Sequence, residues 1–114
     1  MKASVILSTY NSTEWLEKVL VGFSVQTEKD FELIIADDGS GEETRLLIEK
    51  YQKLLPFPVV HVWQEDAGFQ KSRILNKGIV AAQSDYLIFT DGDCIPRKDF
   101  VEVHLAKREK NYFL

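Results

Sequence analysis

Two carboxylates held one residue apart are the most chemically suggestive feature of the sequence. Asp91 and Asp93 flank Gly92, one residue after the apolar run Tyr86–Phe89, which has the length and composition of a buried strand. Carboxylates this close repel each other, and a bound divalent cation relieves the repulsion. A ligand set made only of oxygen atoms favours a hard ion, Mn²⁺ or Mg²⁺, over zinc. The triplet therefore predicts a metal site, although a solvated Asp-Gly turn also explains it when it is taken alone.

Three more polar clusters follow apolar runs that are typical of strands. They are Ser8-Thr9-Tyr10-Asn11, Asp37-Asp38-Gly39-Ser40 and Glu65-Asp66-Ala67-Gly68. Each cluster alone is explained as a turn or a helix cap. In a parallel α/β sheet, however, the carboxyl ends of the strands lie at one edge, and ligands bind outside that edge. We therefore expect the four clusters to form one site.

The spacing of apolar residues predicts the elements that would bring these clusters together. Short apolar runs alternate with segments of helical periodicity in the order βαβαβαβα. The predicted strands are 3–7, 31–36, 59–63 and 86–89, and the predicted helices are about 12–25, 41–54, 70–83 and 98–110. Asn11 with Glu14, and Ser40 with Glu43, fit the capping-box pattern at the first two helices. Pro96 is expected in the first turn of the last helix.

This order indicates an α/β protein with a Rossmann-like three-layer α/β/α fold and a mostly parallel sheet. A length of 114 residues, 45% hydrophobic and 28% charged, is typical of a single domain covering residues 1–114. The final apolar run, Tyr112–Leu114, resembles the start of a fifth strand. We therefore expect a chain cut after the fourth βα unit of a larger domain, with self-association through this apolar end.

The net charge limits the kinds of binding partner to expect, and the cysteine content limits the cellular compartment. A net charge of −4 does not suggest a nucleic-acid partner, because carboxylates at the functional edge repel phosphate unless a metal intervenes. The single cysteine, Cys94, excludes an intrachain disulfide and fits a reducing cytoplasm. No transmembrane stretch or signal peptide is recognisable, so we expect a cytoplasmic protein, with peripheral attachment at the inner face of the membrane left open. Trp15, Trp63 and Cys94 are expected in the core, and His61 and His104 lack metal-like spacing.

Several motifs, in this order, resemble those of family 2 glycosyltransferases with the GT-A fold. They are Val5–Asn11, Gln26-Thr27 with Phe31–Ile35, Asp37–Ser40, Gly68-Phe69 with Arg73, Asn76 and Gly78, and Asp91–Asp93. The resemblance covers essentially the whole chain and is to the N-terminal, nucleotide-sugar-binding half of that domain. Glu65–Phe69 followed by Arg73 resembles the subgroup of chondroitin-polymerase-like and galactosyltransferase-like enzymes. This implies a UDP-linked hexose or N-acetylhexosamine as donor.

The resemblance implies a role in donor binding for each cluster. The implied nucleotide-sugar-binding residues are Ser8, Thr9, Tyr10, Asn11, Glu14, Asp37, Asp38, Asp66, Arg73, Asn76, Asp91 and Gly92, and the implied metal ligands are Asp91 and Asp93. Tyr10 would flank the base, and Asp38 would accept a hydrogen bond from the uracil imide. That contact would favour UDP over CDP, because N3 of cytosine carries no proton. The ion at Asp93 would bridge the diphosphate.

The reaction implied by the resemblance is metal-dependent, inverting transfer of a hexose from a UDP-sugar to a saccharide or lipid-linked acceptor. An inverting transferase needs a general base, normally Asp or Glu, that deprotonates the acceptor hydroxyl. In the family that acid lies well beyond the Asp-x-Asp motif. We therefore expect the base beyond Leu114, predict no catalytic residue in this chain, and expect the chain alone to be inactive.

Other functions stay open at this point. A nucleotidyltransferase uses a related sheet and metal, but it normally has a Gly-rich phosphate loop where this chain has Ser8–Asn11. A receiver-like signalling domain needs an Asp at the end of the third strand, where this chain has Trp63-Gln64-Glu65. Neither a dinucleotide-binding Gly-x-Gly-x-x-Gly nor a Walker-type loop is present. A non-catalytic nucleotide-sugar-binding fragment fits the sequence as well as a cut enzyme does.

Overall fold

The computed structural model describes residues 1–109, with side chains through residue 107, as four consecutive βα units. The elements are β1 (Ala3–Thr9), α1 (Thr13–Ser24), β2 (Phe31–Asp37), α2 (Glu42–Leu54), β3 (Val59–Trp63), α3 (Lys71–Ala81), β4 (Leu87–Asp91) and α4 (Phe100–Glu109). The strands pair in parallel in the order β3-β2-β1-β4. The predicted α/β class and parallel sheet are confirmed. α3 is shorter than predicted at both ends.

Helices cover both faces of the sheet because its central strands are apolar on both sides. Val5 and Leu7 of β1 face the layer formed by α1, α2 and α4, whereas Ile6 between them faces α3. Gly78 lets α3 lie close to the sheet, since a Cβ there would be only 3.1 Å from Cγ2 of Ile6. The three-layer α/β/α arrangement is therefore confirmed.

The capping boxes predicted at Asn11 and Ser40 are wrong. α1 and α2 follow Ser12 and Gly41, and neither helix has a side-chain cap. Asn11 instead adopts a φ of 43°, and its N–H donates to Oγ of Ser40 at 2.7 Å. The N–H of Gly41 in turn donates to Oδ1 of Asn11 at 2.9 Å. The two side chains join neighbouring loops at the carboxyl edge of the sheet, so they are not available to cap their own helices.

α4 begins later than predicted, and Pro96 lies outside it. The segment that holds Pro96 packs against α1, where a Cβ on Gly22 would lie 2.8 Å from Cδ of Pro96. The helix starts only at Phe100. The buried side chain of Gln26 receives the N–H of Val101 at 3.1 Å and donates to the carbonyl of Arg97 at 2.6 Å. These bonds fix the segment that follows the acidic pair.

Trp15, Trp63 and Cys94 do not belong to the core, contrary to expectation. Trp15 is 45% exposed on α1, where the ammonium of Lys18 lies 4.7 Å from its ring centroid. Trp63 is 51% exposed at the end of the edge strand β3, and its indole N–H donates to the carbonyl of Ser40 at 3.0 Å. Cys94 is exposed in the segment after β4. Trp15 lies outside the buried face of α1, and an edge strand and a loop bury fewer side chains than the central strands do.

The apolar run Tyr112–Leu114 and the predicted helix end at Lys110 lie outside the described residues. Neither the expected fifth strand nor self-association through this run is therefore tested. Within residues 1–109, none of the helices has the combination of length and apolar character needed to cross a bilayer.

Candidate functional site

The strands end at one edge of the sheet, where the loops that follow them enclose a cleft of about 550 Å³. This volume lies within the usual range for small-molecule sites. The cleft is lined by Ser8, Thr9, Tyr10, Ser12, Asp38, Asp66, Gly68, Phe69, Lys71, Ile74, Asp91, Gly92 and Asp93. Each of the four predicted polar clusters contributes to this lining. Their predicted meeting at one edge is confirmed.

The acidic pair is held against β1 by its central glycine. The N–H of Gly92 donates to the carbonyl of Ser8 at 2.7 Å. A Cβ on Gly92 would lie 2.6 Å from the same carbonyl oxygen, so only glycine allows this close approach. Asp91 ends β4 and Asp93 follows in the turn, and both carboxylates face the cleft. The backbone of β1 thus sets where the two charges lie.

The acidic pair fits a hard divalent cation. Carboxylate oxygens of Asp91 and Asp93 and Sγ of Cys94 all lie within 4.8 Å of one another, close enough to share one ion. Hydrogen bonds from Lys71 at 2.9 Å and Ser8 at 3.1 Å lower the pKa of Asp91, which keeps this carboxylate ionised. Some loss of hydration at the exposed thiol and the negative charge of the adjacent Asp93 raise the pKa of Cys94, which disfavours the thiolate. Two oxygen donors and a neutral thiol suit Mn²⁺ or Mg²⁺ better than a soft metal.

Asp38 is a fixed hydrogen-bond acceptor in the cleft lining. It is 8% exposed, and its Oδ1 accepts from Nε2 of Gln64 at 2.7 Å. Its Oδ2 accepts from the N–H of Gln70 at 2.8 Å. Because both neighbours donate, the carboxylate keeps one orientation, and its remaining lone pairs can accept from a ligand donor. Gln64 is itself buried, which restricts the whole arrangement.

Tyr10 and Asp66 connect the loops that follow β1 and β3. The Tyr10 hydroxyl donates to Oδ2 of Asp66 at 2.7 Å, and this hydrogen bond raises the pKa of Tyr10. Gly39 brings the β2 loop into backbone contact with the same segment. It has a φ of 101°, and a Cβ there would lie 2.5 Å from Cα of Asp66. The half-exposed Tyr10 side chain is consequently held in the cleft lining.

Five predicted site residues do not line the cleft. They are Asn11, Glu14, Asp37, Arg73 and Asn76. Glu14 is exposed and lies 3.7 Å from the ammonium of Lys18, while Arg73 and Asn76 are exposed on α3. Asp37 is fully buried and accepts from Nε2 of His61 at 2.8 Å and from the N–H of Ser40 at 2.9 Å. The ligand roles that the resemblance implies for these residues stay predictions.

The hydrogen bond between the buried Asp37 and the partly buried His61 is expected to make stability depend on pH. Burial raises the pKa of Asp37, but hydrogen bonds from His61 and Ser40 outweigh it and leave the pKa below its ordinary value. A carboxyl with a depressed pKa stabilises the fold above its unfolded-state pKa, and this contribution is lost as the pH falls through the folded-state value. Asp37→Asn should therefore lower the free energy of unfolding by about 1–3 kcal/mol at pH 7.

Denaturant unfolding at pH 7, 5 and 3 measures this difference. The gap between wild type and Asp37→Asn should narrow at pH 3, whereas Asp85→Asn, at an exposed position, should change stability little at any pH. A gap of constant size over the whole range would contradict the assignment to Asp37.

Sequence reasoning missed Lys71 and Gln64. Lys71 is the first residue of α3 and binds Asp91, and a basic residue opening a helix beside the ligand edge was the available signal. Gln64 had no such signal, because its role depends on contact with Asp38, which is 26 residues away along the chain. His61, to which no chemistry was assigned, supports the buried Asp37 from β3.

With this geometry established, comparison with known proteins identifies the family. The family model described as "Glycosyl transferase family 2" matches residues 4–113. The chain belongs to glycosyltransferase family 2. The similarity inferred from the ordered motifs is thus confirmed.

Two curated relatives show how the chain relates to longer members of the family. It is 36% identical over 110 residues to the uncharacterized glycosyltransferase YfnE of Bacillus subtilis, a match that covers 96% of this chain and 27% of YfnE. It is 31% identical over 105 residues to the chondroitin synthase of Pasteurella multocida, covering 91% of this chain and 11% of that protein. The predicted resemblance to chondroitin-polymerase-like enzymes is confirmed. The chain spans only a small part of each relative.

Solved structures confirm the GT-A type of fold. Residues 1–349 of TarS from S. aureus, solved in complex with UDP-GlcNAc, match with a TM-score of 0.78 and 28% identity, covering 96% of this chain and 32% of that chain. The mannosyltransferase PcManGT from Pyrobaculum calidifontis, in complex with GDP-Man and Mn²⁺, has a TM-score of 0.74 and 23% identity, covering 83% and 28%. At 23% identity, the match to PcManGT supports a shared fold and no more specific conclusion.

Proposed function

We propose that this chain is the donor-binding part of a metal-dependent, inverting glycosyltransferase. The donor is a UDP-linked hexose or N-acetylhexosamine, and the acceptor is a saccharide or a lipid-linked saccharide. One observation carries the proposal, namely that the paired carboxylates of Asp91 and Asp93 and the fixed acceptor Asp38 line the same cleft. A nucleoside diphosphate presents both of the matching groups, a metal-binding diphosphate and a base with a polar edge. The similarity to TarS, solved with UDP-GlcNAc, supports a UDP-linked donor.

The residues of the chain have distinct tasks in this proposal. Asp91 and Asp93 would hold Mn²⁺ or Mg²⁺, which when bound neutralises charge on the departing diphosphate. Ser8 orients Asp91 by its hydrogen bond, and the Tyr10 ring offers a face on which the base can stack. Asp38 accepts from the imide of uracil. Each task is one of binding or orientation, and none is a proton transfer to the acceptor.

In this proposal, the acceptor site and the general base lie in a part of the protein outside the present sequence. The chain covers 27% of YfnE and 32% of the TarS structure, so most of such a protein lies outside the region of similarity. An inverting transfer needs an acid side chain beside the acceptor hydroxyl. We expect the 114-residue chain to bind donor without transferring sugar at an ordinary rate.

Calorimetric titration with nucleotides tests the proposed function. UDP should bind in the presence of Mn²⁺ and lose at least about 100-fold in affinity in EDTA, since the diphosphate would then face two carboxylates without a bridging cation. CDP and GDP serve as controls for the base. UDP binding that is equally tight in EDTA would contradict metal dependence, and an absence of UDP binding under both conditions would contradict the donor-binding role.

Asp38→Asn is expected to reduce the preference for uracil. The amide puts an NH₂ group where one carboxylate oxygen now receives Gln64 or Gln70, and it removes the charge that strengthens a bond from the imide. UDP affinity should fall about tenfold, and the preference for UDP over CDP should narrow. The control is Glu65→Gln at an exposed position next to Gln64 in sequence, and it should leave both affinities unaltered. An unchanged ratio of UDP affinity to CDP affinity in Asp38→Asn would show that another group distinguishes uracil from cytosine.

A further inference from the structure

Lys71 is the single basic side chain among the described residues that line the cleft. Its ammonium group donates to Oδ1 of Asp91 at 2.9 Å. The same oxygen accepts from Oγ of Ser8 at 3.1 Å, so this oxygen already has two donors. A divalent cation at the acidic pair therefore has to share Asp91 with an existing positive charge.

The ion pair between Lys71 and Asp91 is poorly explained as a stabilising element of the fold. The two side chains are 42% and 50% exposed. Ion pairs this open to water contribute little to stability, because solvent screens them and ordering the side chains costs entropy. The pair nevertheless occupies one of the two oxygens of a carboxylate that the proposed metal would share. Its position indicates a role toward ligands.

We propose that Lys71 is a donor-binding residue that exchanges partners. It binds Asp91 before ligands arrive, and it binds a phosphate oxygen of the nucleoside diphosphate once a divalent cation is held by Asp91 and Asp93. This inference rests on the proposed function and extends it to a residue outside the family motifs found in the sequence.

Charge balance explains why the exchange should occur. A divalent cation in contact with Asp91 repels the ammonium group beside it, and the repulsion is strongest at such short range. The long, flexible lysine side chain can move away, because much of it is exposed. A diphosphate supplies several negative oxygens that accept from both cations. Lys71 should therefore oppose binding of the metal alone and favour binding of metal and nucleotide together, which couples the two events.

The test uses Lys71→Met and Lys71→Arg in the 114-residue chain, with Lys77→Met as the matched control on an exposed part of the same helix. Thermal melts first establish that each variant is folded. Paramagnetic resonance of free Mn²⁺, without nucleotide, then gives the affinity for the metal alone. Lys71→Met should bind Mn²⁺ about tenfold more tightly than wild type, and Lys77→Met should match wild type.

Calorimetry at saturating Mn²⁺ supplies the second readout, with UDP and uridine as ligands. Lys71→Met should bind UDP about tenfold more weakly and uridine as wild type does, because uridine has no phosphate for the ammonium to contact. Lys71→Arg keeps a cation at this position and should retain most of the UDP affinity.

The outcomes separate this inference from the function on which it rests. Wild-type affinity for UDP in Lys71→Met would overturn the role of Lys71 and leave the donor site intact. An equal loss for UDP and uridine would also overturn it, because Lys71 would then act only on the shape of the cleft. Failure of the wild type to bind UDP with Mn²⁺ would overturn the proposed function and the inference together.

Discussion

Asp93→Ala is expected to weaken Mn²⁺-dependent UDP binding by about 100-fold or more, with little change in stability. Asp93 is exposed, and the thiol of Cys94 donates to its Oδ1 over a long distance of 3.7 Å, so the fold does not depend on this carboxylate. Its removal leaves Asp91 as the one carboxylate at the proposed metal position. A single carboxylate shared with Lys71 is a weak site for a hard cation.

Calorimetric titration of UDP in Mn²⁺ and in EDTA measures this effect. The matched control is Asp85→Ala, which removes an exposed carboxylate just before β4 and outside the cleft lining. In EDTA, Asp93→Ala and wild type should bind UDP with similarly low affinity, because the variant removes only the metal-dependent part. If Asp93→Ala bound UDP with Mn²⁺ as tightly as wild type, the metal would have to lie elsewhere.

Glu32→Ala is expected to be the most destabilising of the proposed substitutions. Glu32 is fully buried in β2, and its Oε2 accepts from Oγ of Ser4 at 2.6 Å and from the N–H of Gln83 at 2.6 Å. Oγ of Ser4 also receives the N–H of Ser84 at 3.0 Å, so the carboxylate anchors the connection from α3 to β4. Alanine would leave the buried Ser4 hydroxyl and the N–H of Gln83 without this acceptor and would open a cavity. The free energy of unfolding should fall by about 2–5 kcal/mol.

Denaturant unfolding of two variants distinguishes the contribution of the Glu32 hydrogen bonds to stability from the contribution of its side-chain volume. Glu32→Gln keeps the volume and one oxygen acceptor, so it should cost less than Glu32→Ala. The exposed Glu43, changed to Ala, should alter stability by no more than about 0.5 kcal/mol. Equal, small effects of Glu32→Ala and Glu43→Ala would mean that water replaces the carboxylate at no cost.

The elements of the fold could be predicted because their signals are local. Apolar runs such as Val5–Leu7 and Leu33–Ile35 are buried on both faces, and a strand of that kind needs helices on each side of the sheet. The carboxyl ends of parallel strands lie at one edge by geometry alone. The meeting of Tyr10, Asp38, Asp66 and the acidic pair therefore followed from the order of the elements.

Contacts between distant segments could not be predicted in this way. Asn11 and Ser40 have the residue types of helix caps, and only the proximity of the two loops shows that they bind each other's segments. Glu32 interrupts an apolar strand, yet its partners Ser4 and Gln83 are 28 and 51 residues away. Lys71 gained its significance from Asp91, 20 residues further along the chain. A polar group acquires a role from its partner, and the partner is set by tertiary structure.

The most direct test of the central claim is a crystal structure with UDP and Mn²⁺, using anomalous scattering collected at the manganese edge. We expect one anomalous peak in coordination contact with carboxylate oxygens of Asp91 and Asp93 and with the diphosphate. We also expect the uracil ring beside Tyr10 and Asp38. A nucleotide bound outside this cleft, or a nucleotide in the cleft with manganese away from the acidic pair, would contradict it.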